Sequence, residues 1–204
     1  MSQPLPVLNL THGQVAWALS SGQDPDQLTL DQLRYLRQLG VPFTPKEQGT
    51  GTGNPLTYDY DHYIETGVAL YMVRRSMKPQ DIAKVLITFR DDLRAQYREA
   101  FTVQSFRAIQ AEWVKSHGRM IPMLIEERFL RLHDRYSDKP GSYEMVLPHD
   151  SADPKLLADQ RLQIGDTVER YPGEDARTLV PISRLVLEFV AWAQEAPAIR
   201  AGRP

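Results

Sequence analysis

The chain has 204 residues, with 24 Lys and Arg against 26 Asp and Glu, five His, no Cys, and 42% apolar and 25% charged positions. That length supports one large domain or two small ones around a real core, and the missing cysteines exclude a disulfide framework, a thiolate zinc site and a cysteine nucleophile. The net charge of −2 argues against a protein that coats nucleic acid indiscriminately. No apolar run approaches the length of about 18 residues that a membrane span needs. The first 20 residues lack a basic stretch ahead of an apolar one, which argues against a secretory signal, so a cytoplasmic location is the expectation.

Residues 1–10 hold two prolines and no helical period, and read as an extended arm. Thr11 opens a short helix with Val15, Trp17, Ala18 and Leu19 on one face, closed by Ser20-Ser21-Gly22. Thr29 is the N-cap candidate of the next helix, in which Leu30, Leu33, Leu36 and Leu39 recur at helical spacing before Gly40 and Pro42 end it. Residues 43–58 are too rich in Gly, Thr and Pro for a stable helix, and read as a loop or hairpin tip ending in the β-prone Leu56-Thr57-Tyr58. Asp59 or Asp61 caps a third helix running to about Met77, along Ile64, Val68, Tyr71, Met72 and Arg75. Pro79 opens a helix over 79–99, with Ile82, Val85, Leu86, Phe89 and Leu93 in period, and the pattern continues through Trp113 to about Lys115.

A further helix is predicted from Ile121 to Tyr136, after which the pattern changes. Tyr143–Leu147 and Thr178–Pro181 read as β-like, as does Val168–Tyr171; 155–164 fits helix or strand, and Ile182–Ala193 reads as a buried helix. The expected fold class is mainly α with a minor β part, in two units, 1–98 and 99–204.

Two helices, a Gly-rich hairpin and two more helices follow the order of a winged helix-turn-helix. The segment Thr29-Leu30-Asp31-Gln32-Leu33-Arg34-Tyr35-Leu36-Arg37-Gln38-Leu39-Gly40-Val41-Pro42 resembles the second helix of the MerR family, with its Leu-Arg-Tyr-Tyr core and closing Gly-hydrophobic pair. Leu56-Thr57-Tyr58 before Asp59-Tyr60-Asp61 resembles the strand leaving that family's wing and the cap of its third helix. Ile64 through Ser76, then Met77-Lys78-Pro79-Gln80-Asp81-Ile82, resembles its third helix and the start of its fourth. The resemblance covers about residues 10–90. Leu36 replaces the second aromatic, Lys46 is the wing's one cation, and the turn at 20–28 is long. The absence of cysteine excludes the metal-sensing branch.

The resemblance implies a DNA-binding transcriptional regulator, a two-fold dimer on inverted-repeat double-stranded DNA, paired through about 83–137 with 83–117 as a long dimerisation helix. It also implies a C-terminal part that senses small molecules or stress signals, with RNA polymerase or a small-molecule effector as further partners. A recognition helix offers its N-terminal half and one polar face to the major groove. Gln pairs with adenine and Arg with guanine at base edges, and both also hold phosphates. The candidate DNA-binding set is Thr29, Gln32, Arg34, Tyr35, Arg37, Lys46, Thr50, Thr52, Tyr58, Arg74 and Arg75. The second reading is a winged-helix interaction module, such as an adaptor in a mobile-element or phage system.

No catalytic set emerges. His12, His62, His117, His133 and His149 lack HExxH or HxH spacing, and Gly49-Thr50-Gly51-Thr52-Gly53 lacks the Lys-Ser/Thr of a phosphate loop. A non-enzyme without cofactor, metal or membrane partner is the expectation. Cations concentrate in 31–98, where ten Lys and Arg meet eight Asp and Glu.

Overall fold

The computed structural model describes residues 4–48, 56–102, 128–132, 141–146 and 179–197. Most of them are helical, and a small antiparallel sheet is added from the second half of the chain. The expectations for 49–55, 103–127, 133–140, 147–178 and 198–204 lie outside the described residues. Among the described residues no helix is long and apolar enough to cross a membrane.

Helix α1 (His12–Leu19) starts at Thr11 in a capping box: the Thr11 hydroxyl accepts from Gln14 N, and Gln14 Oε1 accepts from Thr11 N at 2.9 Å. It buries Val15, Ala16, Ala18 and Leu19. Helix α2 (Gln27–Gln38) begins two residues before the expected Thr29. Asp26 is the true N-cap, accepting from Thr29 N at 2.7 Å; its carboxylate is a stronger acceptor than a hydroxyl, and it frees Thr29 to turn inward. The other end follows the expectation. Gly40 takes φ +91°, Gly40 N donates to Arg37 O and Val41 N to Leu36 O, which is a Schellman closure.

Within the expected loop, a one-turn helix α3 (Pro45–Gln48) forms. Thr44-Pro45-Lys46-Glu47 is itself a capping box: Thr44 N donates to Glu47 Oε2 at 2.7 Å and Glu47 N to Thr44 Oγ1 at 3.3 Å. Beyond the Gly-rich segment, Tyr58 pairs with Leu10 of the N-terminal arm in an antiparallel bridge, with bonds of 2.8 and 2.9 Å.

Helix α4 (Tyr60–Arg74), capped by Asp59, is the central helix and is buried nearly all round. Helices α2, α5, α6 and α7 pack on it. The expected helix over 79–99 is two helices, α5 (Pro79–Thr88) and α6 (Arg90–Thr102), broken at Phe89. The break lets α6 lie on α4, with Leu93, Tyr97, Ala100 and Phe101 buried within the chain. The stretch 83–102 is therefore not one continuous dimerisation rod.

Strand β1 (Phe129–Leu132) falls where a helix over 121–136 was expected. It is the middle strand of the order β2-β1-β3, between β2 (Tyr143–Val146) and β3 (Leu179–Pro181). Pairing on both edges, with Leu130 opposite Met145 and Val180, overrides the local helical pattern. Helix α7 (Ile182–Glu195) follows β3 and matches the expected buried helix. It packs on α1, α4 and α6, so residues from both sides of position 98 share one core. Gly67 permits this approach, since a Cβ there would stand 2.5 Å from the Phe189 ring. Tyr63 Oη donates to Phe189 O at 2.9 Å, and Trp17 meets Trp192 edge-on at 6.1 Å.

Candidate nucleic-acid interface

Helix α2 faces two ways. Thr29, Leu33 and Leu36 are buried toward the core, while Gln27, Leu28, Asp31, Arg34, Tyr35 and Gln38 are exposed. The exposed side carries one polar row at three- and four-residue spacing, which places its members on one face. Gln27 Nε2 donates to Asp31 Oδ1 at 2.9 Å, and Arg34 Nη1 reaches the same oxygen at 2.9 Å. Arg34 and Asp31 are 59% and 51% exposed, so water weakens this pair and the guanidinium keeps donors to spare. Tyr35 is 38% exposed, and its hydroxyl accepts from Gln80 Nε2 of α5 at 2.6 Å. Gln32 and Arg37 are half-buried.

Arg37 and Arg34 also lie near enough to His12, at the start of α1, to act on its charge. His12 Nδ1 and the Tyr58 hydroxyl share a hydrogen bond of 3.0 Å. Burial, then Arg37 and Arg34, push the His12 imidazole pKa down, which favours its neutral form. Burial pushes the Tyr58 phenol up to about 12.

Several sequence candidates sit elsewhere. Tyr58 is 2% exposed and belongs to the core, edge-on to Phe43 at 4.8 Å. Thr29 is 4% exposed, and its hydroxyl accepts from Arg74 Nη2 at 3.0 Å. Arg74 also donates to Leu19 O at 3.2 Å, so it braces α4 against the ends of α1 and α2. Arg75 lies over the Tyr71 ring at 4.6 Å. Lys46 is exposed on α3; Thr50 and Thr52 lie outside the described residues. The exposed or half-exposed candidates are Gln32, Arg34, Tyr35 and Arg37 on α2, Lys46 beside the Gly-rich segment, and Arg74 and Arg75 at the end of α4, which are engaged with Thr29 and Leu19 O and with the Tyr71 ring.

The charge concentration in 31–98 has a cause that reading motif by motif missed. Arg90, Arg94 and Arg98 recur every four residues on α6, and Asp61 and Glu65 are four apart on α4. The two rows run antiparallel. Glu65, 2% exposed, meets Arg90 at 2.9 Å and Arg94 at 2.8 Å, and Arg98 grips Asp61 through two bonds. Arg90 and Arg94 also donate to Gly40 O at 2.6 Å and Pro42 O at 3.2 Å, fastening the exit of α2. Burial raises the Glu65 carboxyl pKa, with Arg94 and Arg90 acting against it. Arg90 and Arg94 are internal and do not add to a DNA-facing surface, while Arg98 is 51% exposed and tied to Asp61. The i, i+4, i+8 arginine row opposite an i, i+4 carboxylate pair was the legible signal.

The turn between α1 and α2 forms an open polar cleft of about 380 Å³ lined by Ser20, Ser21, Gln23, Asp24, Asp26, Thr29 and Arg74. Its two carboxylates, with Asp31, make the N-terminal half of α2 acidic, which leaves Arg34, Arg37 and Gln38 of the C-terminal half as the better partners for phosphates and bases. Among the described residues no group of three metal-ligating side chains occurs. No protein-family model, curated protein or solved structure matches the chain.

Proposed function

We propose that this chain is a sequence-specific DNA-binding transcriptional regulator of winged helix-turn-helix type, similar to the MerR family, acting as a homodimer on inverted-repeat double-stranded DNA. One observation carries the reading. Helix α2 is held from behind by α4 and by the α6 arginines, while its outer side is exposed and bears amide, guanidinium and phenol groups. Those groups read base edges and hold phosphates. The order α1, turn, α2, Gly-rich segment, Leu10–Tyr58 bridge, α4 and α5 agrees with this reading. Selection of duplexes from a random pool with the full-length protein tests it. The expected result is an inverted-repeat motif bound by two chains, with affinity falling as salt rises; no enrichment contradicts it.

A second reading, the winged-helix interaction or adaptor module, is favoured by Leu28, 65% exposed on α2, and by the Asp31 carboxylate in the middle of the exposed row. An apolar and acidic patch suits a protein partner better than a phosphate backbone. The adaptor reading predicts that Leu28→Glu abolishes partner capture while the random pool yields no motif. A selected motif whose binding is indifferent to Leu28→Glu counts against it.

A further inference from the structure

His62, in the first turn of α4, stands where the two sides of the Gly-rich segment meet. Its Nε2 is 3.3 Å from Glu47 Oε1, on α3 before that segment. Its Nδ1 is 2.8 Å from Asp59 Oδ1, the α4 cap after it. The ring stacks on Phe43, with centroids 4.6 Å apart, and the side chain is 13% exposed. A neutral imidazole has one N–H and one bare lone pair. With a carboxylate on each side, the neutral ring must turn that lone pair toward an anionic oxygen. The imidazolium presents an N–H to both sides.

We propose that His62 is a proton-operated clamp, which ties α3 to the N-terminus of α4 when charged and releases α3 when neutral. The charges facing it come from three places. Asp59 and Glu47 favour the proton, and Arg94 of α6 opposes it. The Nδ1–H does not point squarely at Asp59, so charge attraction carries that contact, while the Asp59 carboxylate also accepts from His62 N at 2.9 Å. Burial lowers the imidazole pKa, but the two carboxylates outweigh it and hold it above the ordinary 6.5. The His62 imidazolium beside it leads the causes that hold the Asp59 carboxyl down at about 2. The folded value exceeds the unfolded one, so the clamp's stabilisation is complete below 6.5 and is lost as pH rises through the folded value.

The clamp does not rest on the DNA reading. Where that reading holds, it adds a consequence, because α3 carries the exposed Lys46. NMR titration of the His62 Cε1 proton in the full-length protein tests the clamp, with Glu47→Gln and Asp59→Asn as variants that keep an acceptor in place. The expected wild-type midpoint lies above 6.5, and each variant lowers it. Amide exchange gives the second readout, at the Glu47 N–H, which donates to Thr44 O at 3.0 Å. As pH passes the midpoint, wild-type exchange should accelerate more than in His62→Gln. A wild-type midpoint at or below 6.5, a midpoint indifferent to both variants, or equal exchange in wild type and His62→Gln overturns the clamp.

Discussion

Single residues divide into those that hold the molecule and those that face outward. Glu65 holds it: removing the carboxylate leaves Arg90 and Arg94, 10% and 15% exposed, without their ion partner. Glu65→Ala should cost about 3–5 kcal/mol in urea unfolding, and Glu65→Gln less, since it keeps volume and an acceptor. A loss below about 1 kcal/mol for the alanine variant contradicts the buried ladder. Arg74→Ala loses two hydrogen bonds and should cost about 1–2 kcal/mol without changing the salt dependence of DNA binding. Two histidines give opposite pH signs. The His12 pKa is depressed in the fold, so the unfolded chain binds more protons and stability falls as pH drops through 6.5. That of His62 is raised, so its contribution grows over the same range. Between pH 7.5 and 5.5, melting of His12→Asn should worsen less than wild type, and melting of His62→Gln more. At this scale the sequence revealed chemistry but not direction. Thr29, Tyr58 and Arg74 carry groups suited to DNA, yet Thr29 and Tyr58 are buried and the exposed Arg74 is engaged with Thr29 and Leu19 O.

Among the elements, α1, α2 and α4 were legible because a start or a stop of each is chemically marked, and α7 because its apolar residues recur at helical spacing. Thr11, Asp59 and Gly40 act where their side chains, or the lack of one, predict. The break at Phe89 and the strand Phe129–Leu132 were not legible. Both depend on partners distant in sequence: α4 for the first, β2 and β3 for the second. The α3 turn was hidden by the Gly-rich stretch that follows it, although Thr44-Pro45-Lys46-Glu47 spells its cap. The contact of α4 with α7 makes a prediction of its own. Gly67→Ala would place a methyl group 2.5 Å from the rigid Phe189 ring and 3.0 Å from Leu19. Overpacking of this kind should cost about 1–3 kcal/mol in thermal or urea unfolding. A neutral or stabilising outcome would mean that α7 does not sit against α4 as described.

Across the whole molecule, the near-neutral charge has a structural explanation. The −2 total is an average over a chain in which much of the positive charge in 31–98 is already engaged with other groups of the fold. Arg90, Arg94 and Arg98 meet Glu65 and Asp61, Arg74 meets backbone and Thr29, and Arg75 meets an aromatic ring. Weak sequence-independent binding to DNA is therefore expected, with discrimination resting on a few groups of α2 and on two chains binding together. The shared core also has a consequence for dissection. A fragment ending at residue 102 lacks α7, whose Ile182, Val186 and Val190 are fully buried, and should show no cooperative thermal transition. The claim that most needs testing is that the exposed side of α2 reads DNA. Anisotropy titration of the selected duplex with wild type, Arg34→Ala, Arg37→Ala and the brace variant Arg74→Ala tests it most directly. Loss of one base-edge contact should weaken binding by about 1–3 kcal/mol for Arg34→Ala or Arg37→Ala, with relaxed preference at one base position, while Arg74→Ala binds as wild type at a temperature where it is folded. Undiminished binding by both Arg34→Ala and Arg37→Ala would contradict the placement of α2 in the groove.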